Sequence, residues 1–488
     1  MTLQNLIAPL LSRAGQLVAA FATIKLSTTL LSPAEVGSVN QLNSFAMLLA
    51  TWFLLPVIAY FTRGVIGWVE TRRFATNARA MLSIIGLAAF TLSVVGAFLQ
   101  WIWGVVHGVT VLWVGVLLIV YLIAFPLHNL IVNCTAVLGR RTQTAVQFNL
   151  AAWFGLMAAT LLYLHFNTAE AWFLGICIGY LVSGQVFWVF LRKIKDSTVV
   201  PQSADRNVLA FDSRAVLRFI WPQVLVGVLW WVQSQGYRFQ LAEISSVATV
   251  GLFYAGYALC AVPMQAFEAA VNEYYAPTLY GKIDTTSERG IVEAWNLYAS
   301  IYIPFILIFG SFIAACAPFL VIFALGSKFQ AVSAILLWPA IGETARALST
   351  VNHALGIAKV DMRRLLPPAF AGALAAPVFI HALAPSEPLL GTAISLCLAN
   401  VIVLVVVYVL TRLSAAVAWP WKRALIAATF GVALILAGRA AFDTLPKTLF
   451  VALGACAVFG LFALAVLYYF SRNSLTGATA KSASPYPS

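Results

Sequence analysis

Long apolar runs alternate with short polar gaps along almost the whole chain. A run of about 20 apolar residues is long enough to cross the hydrocarbon core of a bilayer as a helix. The gaps hold charged residues, or proline and glycine, which mark the ends of such spans. The pattern predicts fourteen spans, at residues 5–31, 36–61, 81–101, 110–138, 144–165, 171–190, 219–242, 250–275, 291–317, 332–357, 365–383, 389–410, 424–441 and 448–470. The predicted fold class is an all-α polytopic membrane protein with about 14 transmembrane helices.

Composition excludes most soluble functions. Of the 488 residues, 62% are hydrophobic and 9% charged, whereas a soluble chain carries roughly 25% charged residues. The net charge of +13 does not predict a nucleic-acid partner, because the basic residues occupy short gaps between apolar runs. The six cysteines lie inside apolar runs without metal-binding spacing. We expect neither a metal nor another cofactor.

The basic residues predict the orientation of the chain. Of the 29 Lys and Arg residues, 22 fall on one side when the chain is threaded through fourteen spans. Basic gaps are retained on the cytoplasmic side, so both termini are predicted to be cytoplasmic. The N-terminal run carries Arg13 in its middle and does not resemble a cleaved signal peptide.

The gaps also divide the chain into predicted domains. Residues 1–193 form an N-terminal six-helix bundle, 194–213 a cytoplasmic linker and 214–412 a second six-helix bundle. Residues 413–470 add a C-terminal helix pair, and the Ser/Ala/Thr/Pro-rich stretch 471–488 is predicted to be a disordered cytoplasmic tail. None of these gaps is long enough to hold a soluble catalytic domain.

The first helix pair of each half shows a weak similarity. Lys25 precedes the Val-Gly pair ending at Gly37 by 12 residues, and Arg238 precedes the pair ending at Gly251 by 13. This spacing predicts a parallel internal repeat of the kind found in transporters. The alternative is that membrane helix hairpins resemble one another.

Charged and polar residues inside the spans are the candidates for function, because ionisable groups at bilayer depth normally face a cavity or a partner. Arg13 and Lys25 lie in the first span, although Lys25 could instead extend to the interface. In the seventh span, Gln233 and Tyr237 share a helix face, with Arg238 at its margin. Amides, aromatic rings and a guanidinium suit a sugar chain attached to a phosphate. An aromatic belt with helix-packing amides is the alternative.

Further polar residues lie in other spans. Asn40 extends the polar lining in the second span. Glu268 is a candidate proton or sodium site, or the counter-ion of Arg13 or of another basic residue. Glu343 and Arg346 are three residues apart, which is the spacing of an ion pair within one helix; we interpret them as structural.

Several segments resemble a known family. Ser12–Gln16, Leu31–Gly37 and the stretch 250–259 look like Wzx-type flippases for lipid-linked oligosaccharides, members of the multidrug/oligosaccharidyl-lipid/polysaccharide exporter superfamily. The resemblance covers residues from about 5 to about 440. It implies two six-helix bundles around a central cavity that opens alternately to either side, with the helix pair after residue 412 as a departure from the common twelve helices.

The resemblance also implies site residues. Arg13 and Arg238 match positions where the family places basic residues of the cavity, and Lys25 matches less well. Gln16, in the first motif, is a further candidate for substrate binding, with Asn40, Gln233 and Tyr237 from the spans.

The predicted function is therefore a flippase without covalent chemistry. It would move a polyprenyl (undecaprenyl) diphosphate-linked oligosaccharide from the cytoplasmic to the outer leaflet of a bacterial inner membrane, for lipopolysaccharide O-antigen or another surface polysaccharide. The expected partners are this substrate, membrane lipids, and a polysaccharide polymerase with its chain-length machinery, with H⁺ or Na⁺ as candidate coupling ions. The alternatives are a multidrug or organic-cation exporter and a membrane glycosyltransferase or polymerase; a nucleotide-binding P-loop is absent from the sequence.

Overall fold

The computed structural model describes residues 3–71, 73–192, 213–283, 288–358, 362–414 and 417–482. In these ranges every regular element is helical. The first eight α-helices are α1 Leu3–Leu30, α2 Pro33–Leu49, α3 Leu55–Glu70, α4 Phe74–Trp103, α5 Val111–Val137, α6 Arg141–Phe166, α7 Ala169–Arg192 and α8 Ser213–Gln235. The next eight are α9 Tyr237–Ile244, α10 Val247–Ile283, α11 Glu288–Ala324, α12 Leu337–Ala358, α13 Leu366–Leu383, α14 Pro388–Ser414, α15 Trp421–Thr444 and α16 Leu449–Ser482.

Within the described ranges, twelve helical segments are long and apolar enough to cross a membrane. The continuous segments Pro33–Glu70 and Val216–Ile244 each count once. Helices α1 and α12, of 28 and 22 residues, are not among these twelve segments, and they carry charged residues noted above. The all-α polytopic fold is confirmed with twelve spans, and the fourteen that would include α1 and α12 stay a prediction.

The chain forms two compact units, Met1–Gly251 and Leu252–Ser488. The domain boundaries proposed from the sequence stay predictions, since residues 194–212 of the predicted linker lie outside the described residues. Helix α16 continues to Ser482 and so includes the first twelve residues of the predicted tail, 471–482, while residues 483–488 lie outside the described residues.

The first unit is built on large buried aromatic residues. At most 2% of the surface is exposed in Trp68, Trp172 and Phe173. Tyr121 of α5 stacks on Phe173 of α7, with ring centroids 5.7 Å apart. Such side chains bury a large apolar area and fix the positions of the helices that carry them.

Helix α2 begins at a well-formed cap. The hydroxyl oxygen of Ser32 accepts the Glu35 N–H at 3.3 Å, and the Ser32 N–H donates to Glu35 Oε2 at 2.7 Å. This capping box satisfies backbone donors that a helix start leaves unbonded. The hydroxyl of Tyr163 in α6 donates to the carbonyl oxygen of Leu30 at 3.3 Å, which ties the end of α1 to the same corner.

The starts of α2 and α10 approach each other through two glycines. A Cβ atom on Gly37 would overlap the carbonyl oxygen of Val247, and one on Gly251 would overlap the carbonyl oxygen of Pro33. Each glycine thus lies against the backbone of the residue four positions before the other glycine, since Val247 precedes Gly251 and Pro33 precedes Gly37 by four residues. Such reciprocal contacts are the pattern that two-fold symmetry produces. They bring the two Val-Gly pairs together and support the predicted repeat.

A π-helical turn, Ala50–Leu54, joins α2 to α3, and helix α8 packs along both. On α2, the carbonyl oxygen of Ser44 accepts the indole N–H of Trp231 at 2.8 Å. On α3, Tyr60 and Arg63 contact the Phe219 ring, at 5.3 Å between ring centroids and 4.7 Å from the guanidinium carbon. Helix α8 therefore contacts the chain on both sides of the π-helical turn.

In the second unit, the last two helices pack on α11. Ile308 of α11, Ala427 of α15, and Ala463 and Leu467 of α16 are buried in one apolar cluster. Phe319 of α11 extends the contact through its ring neighbours on the same two helices. The predicted C-terminal helix pair is thus part of the core of this unit.

The glycine contact makes a stability prediction. Gly251→Ala should destabilise the protein by about 1–3 kcal/mol, because the methyl group must displace the backbone at Pro33. Thermal unfolding of the purified full-length protein in detergent measures this change.

Gly67→Ala is the matched control, because nothing lies within 4 Å of a Cβ built at that helical glycine. It should be neutral or stabilising by up to about 1 kcal/mol. Equal melting temperatures for the two variants would show that α2 and α10 do not require this close approach.

Candidate functional site

Arg238 lies just after a break between two helices. Helix α8 ends at Gln235 and α9 begins at Tyr237. At the intervening Gly236, the N–H bonds to the carbonyl oxygen of Trp231, five residues earlier, at 3.1 Å. This wide turn interrupts the regular pattern. The break places Tyr237 and Arg238 inside the protein, with 1% and 5% of their surface exposed.

The polar face of α2 holds the Arg238 guanidinium. Its Nη1 donates to the hydroxyl oxygen of Ser44 and, at 3.3 Å, to the carbonyl oxygen of Asn40. Its Nε donates to the Tyr237 hydroxyl at 3.2 Å. The Gln41 amide donates to the carbonyl oxygen of Arg238 at 3.3 Å. Side chain and backbone of Arg238 are therefore both fixed by α2.

Besides Gln41, three further residues that were not predicted as site residues complete this cluster: Ser44, Trp231 and Gln235. The Ser44 hydroxyl donates to the carbonyl oxygen of Asn40 at 2.8 Å and to Gln235 Oε1 at 3.3 Å. The Trp231 indole N–H donates to the carbonyl oxygen of Ser44. Ser44 follows Asn40 by one helical turn, so the i,i+4 spacing could have identified it. Gln235 and Trp231 depend on the break after α8, which the sequence did not reveal.

The loop between α4 and α5 also contacts the cluster through Gln41. The N–H of His107 donates to Gln41 Oε1 at 3.2 Å, and the Ser38 hydroxyl donates to the His107 carbonyl oxygen at 3.1 Å. His107 Nε2 lies 3.5 Å from a carboxylate oxygen of Glu243, on α9. Gln41 thus links the loop, α2 and the Arg238 segment. We call Asn40, Gln41, Ser44, Trp231, Gln235, Tyr237 and Arg238 the Arg238 cluster.

The other predicted substrate residues are placed as follows. Arg13 Nη1 donates to Gln16 Oε1 at 3.0 Å, and the guanidinium lies 5.9 Å from the centroid of Phe148 in α6. Arg13, Gln16 and Lys25 are all partly exposed on α1. Gln233 is buried in α8, with 8% exposed. The described contacts thus place the candidates in two groups, Arg13 with Gln16 and Asn40 with Tyr237 and Arg238.

The second unit contains a buried ionic network. Arg346 Nε bonds to Glu343 Oε2 and Arg346 Nη2 to Glu268 Oε2, each at 2.8 Å. The predicted Glu343–Arg346 pair within one helix is confirmed. Of the alternatives stated for Glu268, the structure shows a counter-ion of a basic residue other than Arg13, namely Arg346. The Tyr257 hydroxyl donates to Glu343 Oε1. Glu343 and Glu268 are 1% and 8% exposed.

This network has more acidic than basic groups. When ionised, Glu268 and Glu343 carry two negative charges against the single positive charge of Arg346. The buried Nε2 of His353, one of the α12 side chains that the structure describes, has no hydrogen-bond partner among the described residues and lies within electrostatic range of Glu268. An excess negative charge in a buried place attracts a small cation.

Comparison with solved structures relates the fold to transporters. A structure titled lipid II flippase MurJ in the inward closed conformation superimposes with a TM-score of 0.67 at 12% identity, over 96% of this chain and 99% of that chain. An inward-facing multidrug resistance MATE family transporter of the MOP superfamily gives 0.57 at 14% identity, over 84% and 97%. This chain has the fold of MOP-superfamily transporters.

A third structure has the same fold. It is a MOP superfamily transporter from Pyrococcus furiosus, described by the reverse polarity of its binding pocket, and it gives a TM-score of 0.58 at 14% identity over 84% of this chain and 94% of that chain. No protein-family model matches the chain. No curated protein matches it by sequence either.

The ionic network makes a prediction for stability. Arg346→Ala should destabilise the protein by about 3–5 kcal/mol, because two buried carboxylates lose their shared positive partner. Thermal unfolding in detergent measures the loss.

A double variant separates charge from packing. If charge is the cause, adding Glu268→Gln to Arg346→Ala should recover part of the lost stability, since it removes one uncompensated charge. The stability change of the double variant is compared with the sum of the changes in Arg346→Ala and Glu268→Gln measured separately. Equality of the two values would contradict a shared network.

Proposed function

We propose that this protein is a flippase for a polyprenyl-diphosphate-linked oligosaccharide, which it moves from the cytoplasmic to the outer leaflet. The observation that carries the proposal is the buried Arg238 guanidinium, fixed by α2 at the broken end of α8. A guanidinium stays charged at every physiological pH and binds phosphate oxygens through paired N–H groups. A cation in a medium of low dielectric constant attracts an anion far more strongly than one in water.

The surrounding groups suit the rest of such a headgroup. The Arg238 cluster contains the amides of Asn40, Gln41 and Gln235 and the aromatic residues Trp231 and Tyr237. Amides bond sugar hydroxyl groups, and aromatic rings cover the apolar face of a sugar ring. Arg13 with Gln16, and Lys25, would supply further positive charge on α1.

The comparisons with solved structures support a lipid-linked substrate more than an organic cation. The lipid II flippase structure covers 96% of this chain, whereas the multidrug transporter covers 84%. Transport would proceed by alternating access without covalent chemistry. A role in surface polysaccharide synthesis at a bacterial inner membrane, with a polymerase and its chain-length machinery as partners, belongs to the same proposal.

One observation favours the second candidate, a multidrug or organic-cation exporter. Glu268 and Glu343 outnumber Arg346 in the second unit, and a negative network suits an organic cation. We assign this excess charge instead to a coupling ion, because a proton or Na⁺ fits next to a buried carboxylate without the space that an organic cation needs.

Reconstituted protein tests the substrate. In proteoliposomes that carry a polyprenyl-diphosphate disaccharide labelled on its sugar, wild-type protein should expose the label to an impermeant lectin. Arg238→Ala should slow this exposure about tenfold or more, because it removes a charge-assisted phosphate contact of about 1.5–3 kcal/mol. Arg238→Lys should retain an intermediate rate, since it keeps the charge without the paired geometry.

Two controls make the result decisive. Lys447→Gln removes an exposed cation between α15 and α16 and should flip the lipid at the wild-type rate. An organic-cation dye supplied to the same vesicles should not be transported. Dye transport without lipid exposure would replace the flippase by the multidrug exporter, and a wild-type rate for Arg238→Ala would remove Arg238 from the substrate site.

The coupling ion has its own test. Glu268→Gln should abolish the dependence of the flipping rate on an imposed pH or Na⁺ gradient, because it removes the ionisable oxygen that Arg346 contacts. The rate without a gradient should change little. A gradient response that is identical in wild type and Glu268→Gln would place coupling elsewhere.

A further inference from the structure

Residues 417–420, which lead into α15, are fixed to neighbouring helices. The Ala418 N–H donates to Asn296 Oδ1 on α11 at 2.9 Å, and the Trp419 indole N–H donates to Asn352 Oδ1 on α12 at 3.4 Å. Arg412, near the end of α14, donates from Nη1 to the carbonyl oxygen of Val417 at 3.4 Å. Residues 417–420 are therefore a defined part of the second unit.

Three aromatic rings meet where residues 417–420 lead into α15. Tyr408 lies 5.0 Å from Trp419 and 5.9 Å from Trp421, and the two tryptophans lie 5.3 Å apart, all between ring centroids. Trp421 nevertheless keeps 59% of its surface exposed. Tryptophan and tyrosine are enriched at the level of lipid headgroups, where one part of the ring system is apolar and the other meets water.

Positive charge and apolar surface lie side by side here. Arg412 and Lys422 are exposed, and the sequence from 388 to 442 contains no Asp or Glu. Next to Arg412, Leu413 is 80% exposed, and Leu425, one turn into α15, is 71% exposed. A phospholipid offers the matching pair of groups, a phosphate beside acyl chains, whereas a free phosphate offers only the charge.

The start of α15 favours the same ligand. Its N-cap is Pro420, and no side chain caps the helix there. The first N–H groups of a helix and its dipole attract an anion. The attraction of the helix start for an anion adds to that of Arg412 and Lys422, which are the main basis of the site.

We propose that the end of α14 and the start of α15 bind an anionic phospholipid. Arg412 and Lys422 contact the lipid phosphate, Trp421 lies at the level of the headgroup, and the acyl chains cover Leu413 and Leu425. The site shares no residue with the Arg238 cluster, so the proposal does not depend on which substrate the protein carries.

A bound lipid would act on neighbouring helices through residues 417–420. Asn352, which accepts the Trp419 N–H, lies on α12. Asn296, which accepts the Ala418 N–H, lies on α11, the helix that packs against α15 and α16. The lipid would therefore stabilise the packing of the C-terminal helix pair.

Native mass spectrometry of the full-length protein tests the site. Phosphatidylglycerol and phosphatidylcholine with identical acyl chains are titrated into protein purified in detergent. We expect Lys422→Gln and Arg412→Gln each to weaken phosphatidylglycerol binding about fivefold, which corresponds to about 1 kcal/mol for a basic residue at an anionic surface. Phosphatidylcholine, whose phosphate is balanced by its choline cation, should bind more weakly and lose less in these variants, and Lys422→Arg should bind as wild type does.

Controls separate this site from general attraction. Lys447→Gln removes an exposed cation at the opposite end of α15 and should leave phosphatidylglycerol binding unchanged. An equal loss in this variant, or no loss in both Lys422→Gln and Arg412→Gln, would overturn the proposal. Displacement of the lipid by equimolar inorganic phosphate would overturn the lipid assignment in favour of a phosphate site. Both substituted residues are exposed, so folding should be retained, and a single symmetric peak in size-exclusion chromatography checks this.

Discussion

An ionised side chain at bilayer depth must find its stabilising partners within the protein, because lipid offers none. Both polar clusters of this chain follow from that constraint. Arg238 is held by a hydroxyl group, a carbonyl oxygen and a phenol, while Arg346 is held by two carboxylates. The contacts described for Arg238 are with neutral groups, whereas those described for Arg346 are with acidic groups. The two compact units thus use different side chains to hold a buried guanidinium.

The reciprocal glycine contact joins the two segments from which an internal repeat is predicted. Gly37 and Gly251 lie in the first turns of α2 and α10, and each lies against the backbone four residues before the other. Only a hydrogen atom fits at either position. The same steric requirement thus acts on both Val-Gly pairs, while the repeat itself stays a prediction.

The sequence allowed the spans and the Glu343–Arg346 pair to be predicted, because both depend on local spacing. Apolar runs report length directly, and residues three apart on a helix must be neighbours. The partners of Arg238 and Glu268 could not be predicted in this way. Ser44 lies 194 residues from Arg238, and Arg346 lies 78 residues from Glu268. Such pairs depend on how helices pack, and the break at Gly236 alters the face on which Arg238 lies. The roles of Arg13, Gln16 and Lys25 stay predictions for the same reason.

The π-helical turn at Ala50–Leu54 has a geometric consequence for the helix that contains it. In a regular helix Arg63, 19 residues after Ser44, would point about 100° away from it. One inserted residue in the wide turn brings the two back onto the same side. Helix α8 can then contact Ser44 with Trp231 and Arg63 with Phe219. Deleting one residue from Ala50–Leu54 would leave a separation of 18 residues, which a regular helix also places on the same side. The wide turn therefore accommodates one additional residue while α3 keeps the face that contacts α8.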